Sequence, residues 1–264
     1  MDFIEKRVLI TGASRGIGRA VALALLRAGA RVFLTARSED SFRFLEEEKY
    51  GTGGCAHAGR LDLADASSIR EGVEAAYRFL GGIDILVNNA GITSQNFVAD
   101  QDPKQAAREV EVNYLGMYRV TRSVLPRMLE SGSGTIVNIA STIGKVPSPT
   151  QANYCATKAA VIAFSEALRG EVEDRGIRVM VFIPGHTKTD MVQGIQLDAP
   201  QSMTVDEVAG HFLRALRGRR AEYICGGMNE GIIRMHRLFP EAARRIMKRC
   251  SLDAFLAAIG SAEA

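Results

Sequence analysis

Val8-Leu9-Ile10-Thr11-Gly12-Ala13-Ser14-Arg15-Gly16-Ile17-Gly18 decides the fold. A short apolar run over 7–11 reads as a strand, and a helical pattern over 16–29 follows it with only this glycine-rich turn between. Glycines at such a turn permit a tight bend and the close approach of a pyrophosphate, whose charge is favoured by the helix N-terminus. The spacing, Gly-x-x-x-Gly-x-Gly, is one residue wider than the usual dinucleotide fingerprint. No Gly-Lys-Ser/Thr ending follows, which argues against a nucleotide triphosphatase loop. A plain strand-to-helix turn is the bland alternative.

Outward from this turn the same alternation repeats. Strands are expected at 7–11, 31–35, 54–60, 83–88, 134–140, 178–183 and 222–225, with helices near 16–29, 38–50, 67–80, 103–129, 153–175 and 205–217. Parallel connections need crossovers, so this alternation predicts an α/β protein with a doubly wound parallel sheet of about seven strands and helices on both faces. The unbroken run Val179-Met180-Val181-Phe182-Ile183 suits a strand covered on both sides. No linker, repeat or low-complexity stretch divides the chain, and residues 1–264 are expected to form one domain.

Composition narrows the classes. The chain has 264 residues, 47% hydrophobic and 24% charged, which suits one large domain with a substantial core. A net charge of +3 is too small to call for a nucleic-acid partner. Cys55, Cys155, Cys225 and Cys250 are scattered, with no Cys-x-x-Cys pair and no clustered histidines, so neither a metal site nor a disulfide scaffold is expected. No leader is expected before the first strand, and no apolar run approaches the roughly 18 residues of a membrane span. A soluble, cytoplasmic location is the expectation.

In open α/β sheets ligands bind beyond the carboxyl ends of strands, where the remaining informative residues fall. After the second strand stands Thr35-Ala36-Arg37, where a NAD enzyme usually carries an acid for the ribose 2′-hydroxyl. Ala36 replaces that acid, and Arg37 and Arg15 suit a 2′-phosphate, so NADP(H) is preferred over NAD(H). Glu39 and Asp40 read as first-turn helix acids. Further on, Tyr154 precedes Lys158 by one helical turn, and Ser141 stands thirteen residues before the tyrosine. A phenol, with a pKa of about 10, needs a neighbouring cation to exchange protons near neutrality. The lysine on the same helix face would supply one, and the serine could hold the oxygen that receives the proton.

Taken in order, these motifs resemble the short-chain dehydrogenase/reductase family in its single-domain, Rossmann-type form. The resemblance implies that Gly12, Ser14, Arg15, Gly16, Ile17 and Gly18 form the cofactor loop. Asp62, in Leu61-Asp62-Leu63, would contact adenine with Leu63 beside it, and Asn88-Asn89-Ala90-Gly91 would support the sheet and line the adenosine ribose. Pro184, Gly185, Thr187 and Thr189 would bind the nicotinamide carboxamide. Asn113, Ser141, Tyr154 and Lys158 fall where the family has its catalytic tetrad. Lys158 would lower the tyrosine pKa and hold the nicotinamide ribose, and Asn113 would anchor a proton-relaying water. Cys155 reads as packing and His186 as a loop residue or substrate contact.

The resemblance also implies a carbonyl or alcohol substrate and pairing of the helices at 103–129 and 153–175 across a homodimer, or in a homotetramer. Residues 186–203 would form a lid whose Met191, Val192, Ile195 and Leu197 suit an apolar substrate. Two alternatives are a 3-oxoacyl-carrier-protein reductase-like enzyme and a catalytically silent NADPH-binding regulator. Arg175 favours the first, whereas Gly132 replaces its other basic docking position. A lyase or epimerase on an extended relative of the fold would need a longer substrate domain. Residues 228–264 form an added helical tail that interleaves Arg234, Arg237, Arg244, Arg245, Lys248 and Arg249 with apolar residues. That tail could close the pocket, pack on a partner subunit or touch an anionic membrane.

Overall fold

The computed structural model describes residues 2–46, 50–192 and 202–262. Seven strands build the sheet: β1 (Arg7–Thr11), β2 (Arg31–Ala36), β3 (Cys55–Arg60), β4 (Ile85–Asn88), β5 (Gly134–Ile139), β6 (Ile177–Ile183) and β7 (Glu222–Ile224). Their order is β3-β2-β1-β4-β5-β6-β7, with every pairing parallel. The chain winds outward from β1 in one direction and then from β4 in the other. The crevice between the ends of β1 and β4 is therefore the topological switch point, where such sheets bind ligands.

Helices cover both faces. On one, α1 (Gly16–Arg27) packs against α6 (Val205–Arg217), and Val21, Leu25 and Leu26 share a core with Val208, Phe212 and Leu216. On the other lie α2 (Ala66–Leu80), α4 (Met117–Ser131) and α5 (Ala152–Val172), which bury Ile69, Val73, Val120, Val124, Leu168 and Val172 beneath the sheet. A central strand such as β6 is apolar on both sides because both sides are covered. The ends of these helices are chemically marked. Asp65 accepts the Ser67 and Ser68 amides at the start of α2, and Thr204 with Glu207 forms a reciprocal capping box on α6.

Two expected helices differ. The segment at 38–50 is a 3₁₀ turn over Glu39–Glu46. Glu39 Oε1 accepts the Arg60 amide at 3.1 Å and Phe42 is buried, so the segment is tied to the sheet edge from its first turn. The helix at 103–129 is α3 (Pro103–Val110), a π turn at Glu111–Gly116, then α4. A Cβ on Gly116 would stand 2.6 Å from both the Leu63 carbonyl oxygen and Leu63 Cβ, so the π turn lies directly on the loop after β3.

The tail is helical in pieces: α7 (Gly227–Leu238), α8 (Pro240–Met247), a second π turn (Lys248–Asp253) and α9 (Ala254–Ala262). Pro240 opens α8 and breaks the run after Phe239. Most of the tail is exposed, with Leu238 at 71% and Phe239 at 64%, yet Ala243 and Ser251 are fully buried. No helix among the described residues is long and apolar enough to cross a membrane.

Candidate active site

The glycine loop lies at the switch point. Gly12 has φ +66°, a left-handed conformation, and a Cβ there would be 2.7 Å from Ala90 Cα. A Cβ on Gly18 would meet Asn89 Nδ2 and the Gly12 carbonyl oxygen, each at 2.3 Å. The space is taken because Asn89 stitches the two loops together. Its Nδ2 donates to the carbonyls of Thr11 (3.0 Å) and Gly12 (2.9 Å), while Thr11 Oγ1 accepts the Asn89 and Ala90 amides. Arg15 occupies the N-cap of α1 and offers no side-chain cap, so the first-turn amides are left for an anion. This close-set loop under an uncapped helix fits the pyrophosphate of a dinucleotide.

Around it lie the ribose and adenine candidates. Ala36 and the exposed Arg37 line the cleft with no acid between them, and Arg15 stands 3.8 Å from Asp190 across its mouth. Both partners of that pair are more than half exposed, so it is readily exchanged. Asp62 Oδ1 accepts the Ala64 amide at 3.0 Å and meets Arg108 Nη2 at 3.5 Å.

At the other end of the cleft, Ser141 follows β5 and caps a 3₁₀ turn at Thr142–Gly144 without using its hydroxyl there. Thr142 ties this loop to the next by donating its amide and hydroxyl to the Pro184 carbonyl. Tyr154 and Lys158 lie one turn apart near the start of α5. Lys158 is buried, with its Nζ donating to the Ile139 carbonyl at 2.9 Å and lying 5.6 Å from the centre of the Tyr154 ring. Burial pushes the lysine down to about 8. The expected effect on the tyrosine is absent here. Burial first, then Cys155 and Glu109, raises the Tyr154 pKa above its ordinary value. The phenol is thus held protonated by desolvation, while the lysine ammonium is turned toward the Ile139 carbonyl.

Asn113 is the one predicted site residue that stays off the cleft wall. It lies in the first π turn, where its Oδ1 accepts the Ile92 amide and its Nδ2 donates to the Ile92 carbonyl, both at 2.8 Å. A third bond reaches Thr157 Oγ1 at 3.1 Å. It pins the loop after β4 to α5. A Cβ on Gly91 would nonetheless lie 3.2 Å from Asn113 Oδ1 and 3.6 Å from Lys158 Nζ, so the two side chains approach the same spot.

Every other predicted residue, from Gly12 to Thr189, lines a single cleft of about 370 Å³, a size suited to a small molecule. The cleft also takes in Thr93, Arg108 and Gln151, which sequence reading did not single out. Gln151 Nε2 donates to Thr93 Oγ1 at 3.3 Å. Position was their signal: Thr93 follows β4, Gln151 stands one turn before Tyr154, and Arg108 shares α3 with the approach to Asn113. His186 also lines the cleft, with Nδ1 2.8 Å from Ser202 Oγ and its pKa lowered by burial. Of the expected lid, residues 193–201, with Ile195 and Leu197, lie outside the described residues. Its ends are joined by a bridge between Thr187 and Met203.

The family model for short chain dehydrogenases matches residues 6–200. The 3-oxoacyl-[acyl-carrier-protein] reductase of Salmonella typhimurium is 37% identical over 212 residues, covering 80% of this chain and 86% of its own. A short chain dehydrogenase from Burkholderia cenocepacia, solved in complex with NADP, superposes with a TM-score of 0.81 at 27% identity, over 94% of this chain and 99% of its own. One from Burkholderia phymatum, solved with NAD, also gives a TM-score of 0.81, at 22% identity over 92% and 96% of the two chains, and shares the fold. Glycine loop, parallel sheet and sequence matches together place this chain in the short chain dehydrogenase family, as an oxidoreductase with a Rossmann-type, nicotinamide-dinucleotide-binding fold.

Proposed function

We propose that the protein is an NADP(H)-dependent enzyme that interconverts a carbonyl and an alcohol, with Tyr154 as its general acid and base. The observation that carries this reading is the convergence of Ser141, Tyr154 and Lys158 on the cleft that also holds the glycine loop and Arg37. The glycine loop and the Pro184–Thr189 segment would hold a nicotinamide dinucleotide there, which when bound would supply the hydride exchanged with the substrate carbon. In reduction Tyr154, kept protonated by its burial, gives its proton to the carbonyl oxygen, and Ser141 donates a hydrogen bond to the same oxygen. Lys158, which lines the cleft one turn from Tyr154, would hold the nicotinamide ribose and supply positive charge near the phenol. Asn113, by fixing Ile92 and Thr157, keeps the wall behind this group in place.

Ala36 in place of an acid, with Arg15 and Arg37 at the rim, supports NADP(H) over NAD(H). Apart from Tyr154 and Lys158, the substrate end offers Ile92, Ile143, Met191, Thr93, Gln151 and a His186 whose burial favours the neutral ring. That lining suits an uncharged ketone or aldehyde, or the corresponding alcohol, with an apolar body. The chain works as one domain in the cytoplasm and as a homodimer or homotetramer. A second reading, a 3-oxoacyl-carrier-protein reductase, is favoured by the 37% identity to the Salmonella typhimurium enzyme. Gly132 at an expected basic docking position stands against it.

An NADPH-oxidation screen over ketones, quinones, steroids and acyl thioesters, repeated with NADH, separates these readings. Turnover confined to acyl thioesters selects the second. Tyr154→Phe should abolish turnover of the preferred substrate while NADPH still binds; a variant that keeps wild-type turnover removes Tyr154 from the mechanism.

A further inference from the structure

Ser251 is a buried hydroxyl in a mostly exposed tail. It lies in the π turn of Lys248–Asp253, the kind of one-residue insertion that recurs at functional sites. Its Oγ donates to the Pro149 carbonyl at 2.8 Å and stands 3.5 Å from Thr150 Oγ1. Pro149 and Thr150 immediately precede α5, the helix that carries Tyr154. Thr150 has φ +68°, a left-handed conformation that a β-branched residue adopts only under outside constraint.

The constraint has a second side. The Thr150 carbonyl accepts the Asn96 amide, and its Oγ1 accepts from Gln95 Nε2, both at 2.8 Å. Beside them the Phe97 ring meets the Phe255 ring of the tail edge-on, with centroids 5.5 Å apart. The loop after β4 and the loop before α5 thus meet at Thr150, and the tail grips both, through Ser251 on one and Phe255 on the other. Inside the cleft the same two loops are joined again by Gln151 and Thr93. The outer junction therefore sets the separation of two walls of the substrate end.

We propose that residues 248–255 are a brace for the substrate end of the cleft, and that Ser251 and Phe255 are positioning residues acting through Pro149, Thr150 and Phe97. Among the described residues no tail residue lines the cleft itself, so the brace shapes the site without touching what binds there. Its kinetic consequence rests on the activity proposed above, whereas its structural consequence does not.

Full-length wild type, Ser251→Ala and Phe255→Ala are compared in two ways. Amide hydrogen exchange reads the loops directly. Loss of one buried hydrogen bond or ring contact should speed exchange across 93–97 and at 150–151 by about five- to tenfold, with β1 and α1 unchanged. Unchanged exchange in both loops, or a uniform rise throughout the sheet, overturns the brace. In the second arm, KM for a reducible carbonyl should rise severalfold with a smaller change in kcat and an unchanged NADPH affinity. An NADPH affinity that weakens in step with the rise in substrate KM overturns it. If the wild type reduces no carbonyl, the activity reading fails, and the exchange measurement still decides the brace.

Discussion

Lys158 carries two opposed demands. Its folded pKa of about 8 lies below the 10.5 of an exposed lysine, so between these values the unfolded chain holds more protons than the folded one. Stability from this group therefore rises as pH climbs from about 8 toward 10.5, and its burial penalty is fully present below about 8. Activity moves the other way. The kcat/KM for NADPH, which reports the free enzyme, should fall as pH rises through about 8, where the ammonium loses its proton. Lys158→Met should abolish turnover yet stabilise the protein at pH 7 by about 2 kcal/mol, the burial penalty less one lost hydrogen bond to Ile139. Denaturant titrations at pH 7 and 10 check both signs: the advantage of the variant must shrink at the higher pH. The residues themselves were legible in the sequence, but the direction of the Tyr154 shift was not. Spacing reports which charges are near, whereas burial, the larger effect here, depends on what later segments of the chain lay over the site.

At the scale of elements, periodicity located all seven strands to within two residues, because most of them are short apolar runs set between loops and longer helical patterns. It read α3, the π turn and α4 as one helix, because a π turn leaves no period of its own in so short a stretch. What forces the turn is a tertiary contact, Gly116 against Leu63, together with the demands of Asn113 on Ile92. Gly116→Ala should therefore lift the turn from the loop after β3. The expected cost is about 1–3 kcal/mol in denaturant unfolding, with weaker NADPH binding because Leu63 lines the cleft. An alanine variant with wild-type stability and affinity would mean that the π turn yields freely. The tail hid its meaning for a similar reason. Ser251 is an ordinary serine among arginines, and only its partners at Pro149 and Thr150 distinguish it.

For the molecule as a whole, the outer surface of α5 is the clearest pointer to assembly. Ala152, Ala156, Ala159 and Ala163 are exposed at helical spacing, and Val110 and Tyr118 are exposed on the neighbouring helices. So smooth a face lets a second copy approach closely. The mass in solution at micromolar concentration should be two or four times 28.6 kDa, and Ala159→Arg should reduce it to one, as read by light scattering. A wild-type monomer would exclude the paired helices as an interface.

The contact between Ser251 and Pro149 joins residues 102 positions apart in sequence. During synthesis all seven strands, the glycine loop and Tyr154 leave the ribosome before Ser251 does. At roughly 5–20 residues per second, the nascent chain spends a second or more with its sheet fully emerged and this contact still unmade. Its cofactor site can thus form before its substrate site is set, so a ribosome-bound chain paused before Ser251 should already bind the dinucleotide.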